Sequence, residues 1–258
     1  MSHRAAESIS VDEAEQLLDE TQMWIDAILA RVAPHLSHGG TLDVLDVGAA
    51  QGRAIIALQR RGHRAVGVEP WPEAIATANE LARRQGVNLE IREGSAESIP
   101  FEADSFDLVL ATSVLEHVAD LPRTLTEICR VLRPGGIFWF NTASSMSPRQ
   151  SEIGGFPLFG WYPLPLKRRV MWWAVEHKPE LVGHTAAPAI HWFTPWSARR
   201  ALRRAGFAEV WDRWDLFGPS ELTGVQGILG RLGKGVHGVR YLGDVVMPGC
   251  SYAARKRS

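Results

Sequence analysis

Cysteine is scarce: Cys129 and Cys250 are the only two in 258 residues. No Cys-X-X-Cys pair or Cys/His cluster surrounds them, which argues against a disulfide framework and a zinc site and favours a reducing compartment, the cytoplasm. Excess charge is also missing, with 28 Lys+Arg against 29 Asp+Glu for a net charge of -1. Such a chain has no global field to draw it to nucleic acid, so any such contact needs a local basic patch. No stretch of some 18 uncharged apolar residues occurs, and the opening MSHRAAESISVDEAEQ lacks the apolar segment of a signal peptide. Membrane spanning and secretion are therefore not expected.

What remains is a globular composition long enough to bury one sizeable core, and the length favours a single domain over residues 1–258. Residues 10–33 place Leu17, Leu18, Trp24, Ile25, Ile28, Leu29 and Val32 on one helical face, with Ser10 as an N-cap. Beyond them the chain alternates. TLDVLDVG, RAVGVEP, NLEIREG, FDLVLAT and GIFWFNT read as strands, separated by the helical stretches GRAIIALQRRG, PEAIATANELARRQG and LPRTLTEICRVLRPGG. That rhythm predicts an α/β fold, a parallel sheet covered by helices on both faces, with ligands at the C-terminal ends of the strands. Between 143 and 191 it breaks into a Pro- and Gly-rich stretch that reads as an inserted lid. Regularity returns over 192–258: Thr194 caps a helix, a strand follows from Phe207 to about Trp214, and DVVMPGCSYAARK is the last strand. GVQGILGRLGKGVHGVRYLG between them has near-helical spacing, but its glycines weigh against a rigid helix.

The turn in VLDVGAAQGRAII poses a ligand question. A dinucleotide loop needs glycine where the backbone meets the pyrophosphate. Here Ala50 stands in the middle, and Asp46 lies two residues before Gly48. An acid at the mouth suits a cation better than a diphosphate. S-adenosylmethionine carries an ammonium and a sulfonium and no phosphate, so opposite charge favours it. Glu69, closing the second strand, is placed to accept from the hydroxyls of an adenosine ribose.

VLDVGAAQG, VGVEP, REGSAESIPFEADSFDLVLATSVLEHV and VLRPGGIFWFNT together resemble the class I S-adenosylmethionine-dependent methyltransferases, in particular the group of ubiquinone-biosynthesis O-methyltransferases and natural-product methyltransferases. The likeness covers roughly residues 40–142, the cofactor-binding core. It implies a Rossmann-like, doubly wound, seven-stranded sheet, mostly parallel with the last strand antiparallel. It also implies that Asp46, Gly48, Ala50 and Gly52 form the loop around the methionine moiety, that Glu69 holds the ribose, and that Ser95, Ala96 and Glu97 line the adenine edge. The product would be S-adenosylhomocysteine. Two departures stand out: Ala50 replaces a second glycine, and Ser95 replaces a frequent aspartate.

Each residue also has a plainer reading. Asp46 can simply bond loop amides, the glycines can simply permit a tight turn, and Glu69 can be an exposed acid at a strand end. Trp71 either stacks near adenine or packs at the start of its helix. Methyl transfer from a sulfonium needs alignment and exclusion of water more than a protein nucleophile. An oxygen acceptor must still lose a proton, and His117, in the loop after the fourth strand, is the candidate base; its plain alternative is a histidine bonded to nearby backbone. Related quinone-pathway enzymes place a further glutamate where Ser113 stands and hold a divalent metal with it, so no metal is expected. His184 and His191, at the edge of the lid, are read as surface or packing residues.

Within the lid, Phe156, Phe159, Trp161, Tyr162, Trp172 and Trp173 gather around Lys167, Arg168 and Arg169. Packing, or cover for an apolar or aromatic substrate, ranks first, and contact with a membrane surface is the less favoured reading. Arg199, Arg200, Arg203 and Arg204 read as a solvated helix face rather than a nucleic-acid site. The expected function is methylation of a small lipophilic or aromatic molecule at oxygen. Methylation at nitrogen or carbon, and a cofactor-binding protein without transferase activity, are the alternatives.

Overall fold

A computed structural model describes residues 9–150, 152–182, 187–217, 243–245 and 249–258. Its centre is a seven-stranded sheet formed by β1 (Asp43–Val47), β2 (Arg64–Glu69), β3 (Ile91–Glu93), β4 (Phe106–Thr112), β5 (Leu132–Ala143), β6 (Phe207–Asp212) and β7 (Gly249–Lys256), in the order β3-β2-β1-β4-β5-β7-β6. Strands β1 to β5 pair in parallel, and β7 runs antiparallel to both β5 and β6. This is the expected mostly parallel, doubly wound sheet.

Strand alternation divides the core between the two faces. Leu45, Val47, Phe138 and Phe140 point to one side and pack with Leu125 and Ile128 of α5 (Leu121–Val131) and Leu202 of α7 (Pro195–Arg204). Val44, Ile137 and Trp139 point to the other, against Ile25 and Ile28 of α2 (Leu18–Val32) and Ile55 and Leu58 of α3 (Arg53–Arg60). By the same period Asp46 and Glu69 lie on the α2/α3 side, at the strand ends where the expected ligand site opens.

Several boundaries differ from the sequence expectation. The leading helix is two: α1 (Val11–Gln16), opened by a Ser10–Glu13 capping box, and α2, with a break at Leu17, whose ψ of 0° leaves the helical range. Helix α4 (Pro72–Gln85) ends as expected on left-handed Gly86. Strand β6 stops at Asp212, because that side chain accepts from the amide of Trp214 and opens the short helix α8 (Arg213–Leu216), so Trp214 is helical rather than extended. The last strand begins at Gly249; Asp244 is in helical backbone. Helix α5 ends at Val131, three residues before Pro134, where the strand backbone already required ahead of proline has begun. Residues 224–242 lie outside the described residues.

Candidate functional site

After β1 the chain turns through Gly48 (φ +73°), Ala50 (φ +47°) and Gly52 (φ +70°) into α3. Gly48 is required twice over: its φ is left-handed, and a Cβ there would stand 2.5 Å from Val114 Cγ2. Ala50 takes the left-handed conformation despite its methyl group, at a cost of about 1 kcal/mol. Almost every amide of this turn is engaged. Gly48 and Ala49 donate to the Val68 carbonyl at 2.9 and 3.1 Å, Gly52 donates to Ala49 at 2.8 Å, and Ala50 donates to Glu69 Oε2 at 2.8 Å. A diphosphate would find few free donors here.

The plain reading of Asp46, an acid that ties down loop amides, belongs instead to Glu69. It is 4% exposed, and its second oxygen accepts from the Trp71 amide at 3.2 Å. Burial raises its pKa while these two amides pull it back. An exposed strand-end acid it is not. A carboxylate has about four acceptor sites, so ribose hydroxyls can still share it. Asp46 is 5% exposed and forms no ion pair among the described residues. Burial, followed by the charge of Glu69, pushes its carboxyl up to about 7 against the smaller pull of Arg53.

Beside Asp46 opens a cavity of about 350 Å³, lined by Gly48, Ala50, Arg53, Thr112 and Asn141, and by Glu20, Thr21 and Trp24 of α2. Sequence reading missed the last six of these. Thr112 and Asn141 carry a signal, since each is a polar residue near the end of an apolar strand. The α2 residues carry none, because only the fold brings that helix across the mouth. Arg53 donates to Thr21 Oγ1 at 3.3 Å, and burial lowers its pKa first of all, with Glu20 and Asp46 opposing. Acids flanking a small cavity fit a compact cationic group better than an anion.

The remaining expected site residues fall around this centre unevenly. Ser95 forms an isolated bridge with Ser98, Ala96 is buried in the core, and Glu97 turns to the start of α5, where its carboxylate accepts from the Ala119 amide at 2.8 Å. Trp71 is half-buried as the N-cap of α4. His117 pairs through Nδ1 with the Ala187 carbonyl at 2.7 Å. That bond fixes the proton on Nδ1 and leaves Nε2 as the acceptor of a neutral ring. Burial lowers its pKa, against the two backbone bonds that favour charge. Next to it Glu116, 3% exposed, accepts from Thr142 Oγ1 at 2.7 Å and is pushed by burial up to about 7.

His191 donates through Nε2 to the Val118 carbonyl at 3.0 Å, a packing role as expected, while His184 lies outside the described residues. Ile190 and His191 both donate amides to the Glu116 carbonyl, which staples the end of the lid to the turn that carries His117. Among the described residues no group of three His, Cys, Asp or Glu gathers as metal ligands. Two charged residues are less solvated than their basic neighbours, Arg199 among them against expectation. Lys167 is buried, 4.9 Å above the Trp192 ring, and burial brings its amine down to about 8. Arg199 donates to Asp212 at 2.9 Å and to the Val210 carbonyl at 3.0 Å.

Comparison with known proteins bears on this geometry. Residues 45–140 match the family described as Methyltransferase domain. A ubiquinone biosynthesis O-methyltransferase from Methylobacterium sp. (strain 4-46) is 34% identical over 124 residues, 47% of this chain and 50% of that relative. The chain thus matches about half the length of this curated relative. In structure it is similar to an S-adenosylmethionine-dependent methyltransferase from Mesorhizobium loti, with a TM-score of 0.57 and 19% identity over 90% of this chain and 100% of the other. It is also similar to the geranyl diphosphate C-methyltransferase of Streptomyces coelicolor A3(2), with a TM-score of 0.52 and 17% identity over 90% of this chain and 79% of that one. At these identities the structural likeness is one of fold.

Proposed function

We propose that residues 45–140, which match a methyltransferase domain, form a class I S-adenosylmethionine-dependent core, and that this protein moves a methyl group from that cofactor to an oxygen of a small, lipophilic or aromatic molecule. The observation that supports the reading is Asp46: a buried acid without an ion-pair partner among the described residues, beside a turn most of whose amides are already engaged. When bound, the cofactor supplies an electrophilic sulfonium methyl. Asp46 and Glu20 provide negative potential for its cationic end, and Glu69 holds the turn in shape while offering its free lone pairs to the ribose. Ser95, Ala96 and Glu97 bound the adenine side, with Glu97 acting through the backbone it fixes. Trp24 and α2 exclude water from the mouth of the cavity.

His117 is the base in this reading. Its Nε2 lone pair takes the proton of the acceptor hydroxyl as the new carbon–oxygen bond forms, and the Ala187 carbonyl stabilises the resulting imidazolium through Nδ1. Because burial depresses its pKa below the ordinary 6.5, the neutral ring persists as pH falls through that value. The test combines calorimetric titration of S-adenosylmethionine, S-adenosylhomocysteine and NADH with turnover on a panel of phenols, acids and amines. Binding of the first two ligands but not NADH, with phenol methylation reduced about 100-fold or more in His117→Ala at unchanged cofactor affinity, is expected. Equal turnover of wild type and variant at every pH removes His117 as base. Methylation confined to amines or carbon moves the acceptor, and cofactor binding without any turnover favours a binding protein.

A further inference from the structure

We propose that Arg53 holds the carboxylate of the ligand's amino-acid end, so that the cavity selects a zwitterion rather than a simple cation. This deepens the function proposed above and rests on it. Arg53 opens α3, directly after left-handed Gly52, and lines the cavity together with Asp46 and Glu20. Its Nη1 donates to Thr21 Oγ1 at 3.3 Å, a long bond to a neutral hydroxyl. Among the described residues that is the one hydrogen bond of its side chain, and no carboxylate lies within ion-pair distance. A guanidinium carries five N–H donors, and most of them are open here.

Other shielded cations of this protein are met more fully. Arg130 spreads its donors over Glu127 and the carbonyls of Ile99 and Phe101, all within 3.0 Å. Arg199 reaches Asp212, Asp215 and the Val210 carbonyl, and Lys167 of α6 (Leu164–His177) lies over the Trp192 ring. Nor does α3 itself favour a cation at its first position. That end of a helix is the positive pole of its dipole, where an acid is the stabilising choice, and the first turn of α3 holds none. An anion that arrives with the ligand accounts for both features.

The balance of charge decides which anion. Glu20 and Asp46 are the acids whose charge reaches Arg53, and burial works against the guanidinium. A bare cation drawn to the two acids would meet Arg53 as a like charge, and a bare anion drawn to Arg53 would meet the acids. An ammonium and a carboxylate on one carbon offer each sign its opposite. Guanidinium and carboxylate also match as a two-pronged pair, a geometry that lysine cannot supply. The methionine end of S-adenosylmethionine and the homocysteine end of its product carry that pair of charges.

Calorimetric titration of the full chain with three adenosine thioethers tests the assignment. S-adenosylhomocysteine has both amino-acid charges, adenosylthiopropylamine has the ammonium alone, and methylthioadenosine has neither. Wild type should prefer the first over the second by about 100-fold. In Arg53→Met and Arg53→Gln that preference should collapse, while methylthioadenosine keeps its wild-type affinity and so reports an intact fold. Two neutral variants of different shape guard against one that fails to fold. Arg53→Lys should recover only part of the preference, since a point charge lacks the fork. A preference of wild-type size in a neutral variant that still binds methylthioadenosine overturns the role of Arg53 and leaves the cofactor reading standing. A wild-type chain that binds none of the three overturns the cofactor reading and this proposal with it.

Discussion

At the N-terminal ends of β1 and β4, Asp43 and Asp107 are surrounded by cations. Arg133 reaches both, at 2.8 and 2.7 Å; Arg64 pairs with Asp43, and His38 meets Asp107 at 3.1 Å. The pKa of Asp43 is lowered, first by Arg64, and that of Asp107 is lowered because the Asp43 amide, Arg133 and His38 together outweigh burial. At the opposite ends of the same sheet Asp46, Glu69 and Glu116 are buried, and burial leads in raising the pKa of each. One strand thus carries a neutralised acid at its start and an uncompensated one three residues later. The first set has its countercharges built in and the second does not; on the function proposed above, the second keeps negative potential for a ligand that brings its own charge.

Removing the charge of Asp46 should break this contrast most visibly. Its carboxyl titrates near 7 in the folded protein and near 3.8 without the fold, so the folded state holds an extra proton between those values. Stability therefore falls as pH rises from about 4 to about 7. Asp46→Asn should raise stability at pH 8 by roughly 2–4 kcal/mol in urea denaturation, and weaken S-adenosylmethionine binding about tenfold or more in calorimetry. A destabilised variant with intact affinity would end the assignment. Asp107→Asn should do the reverse, costing about 1–3 kcal/mol with cofactor affinity unchanged. Its pH dependence has the opposite sign: the contribution of Asp107 is present above its unfolded pKa and lost as pH falls through the lower folded one. Smallest is Ala50→Gly, which relieves the left-handed backbone but frees the unfolded chain; a gain of no more than about 1 kcal/mol is expected in thermal unfolding. A loss would mean that the methyl group packs better than its backbone is strained.

Legibility in the sequence followed the range of the interaction. Ser10 with Glu13 and Thr194 with Pro195 are local signals, and both mark true helix starts. The strand–turn–helix around Gly48 is equally local, so the alternating core was readable, whereas the antiparallel last strand followed only from the family resemblance and its place between β5 and β6 is seen only in the fold. Asp212 and Asp215 also formed a readable capping box, which was passed over because the apolar run continues to Trp214. The break at Leu17 has no such mark. That Asp46 and Glu69 stand at strand ends beside the turn was expected from position alone, but their division of labour was not, since it depends on which carboxylate meets the Ala50 amide. Glu20, Thr21 and Trp24 meet the cavity only through the crossing of α2 over β1. The burial of Lys167 was visible in its four-residue spacing from Met171 and was masked by the adjacent arginines.

The placement of β7 between β5 and β6 has a consequence for biosynthesis. Among the described residues strand β6 pairs only with β7, which follows it by some 37 residues, so before β7 emerges β6 lacks that partner while β5 presents a bare edge. Tyr252, Ala253 and Ala254, all buried in the core, arrive with β7, after the other six strands of the sheet. Until β7 slots in, β5 and β6 each carry an unpaired edge, the kind of surface through which folding intermediates associate.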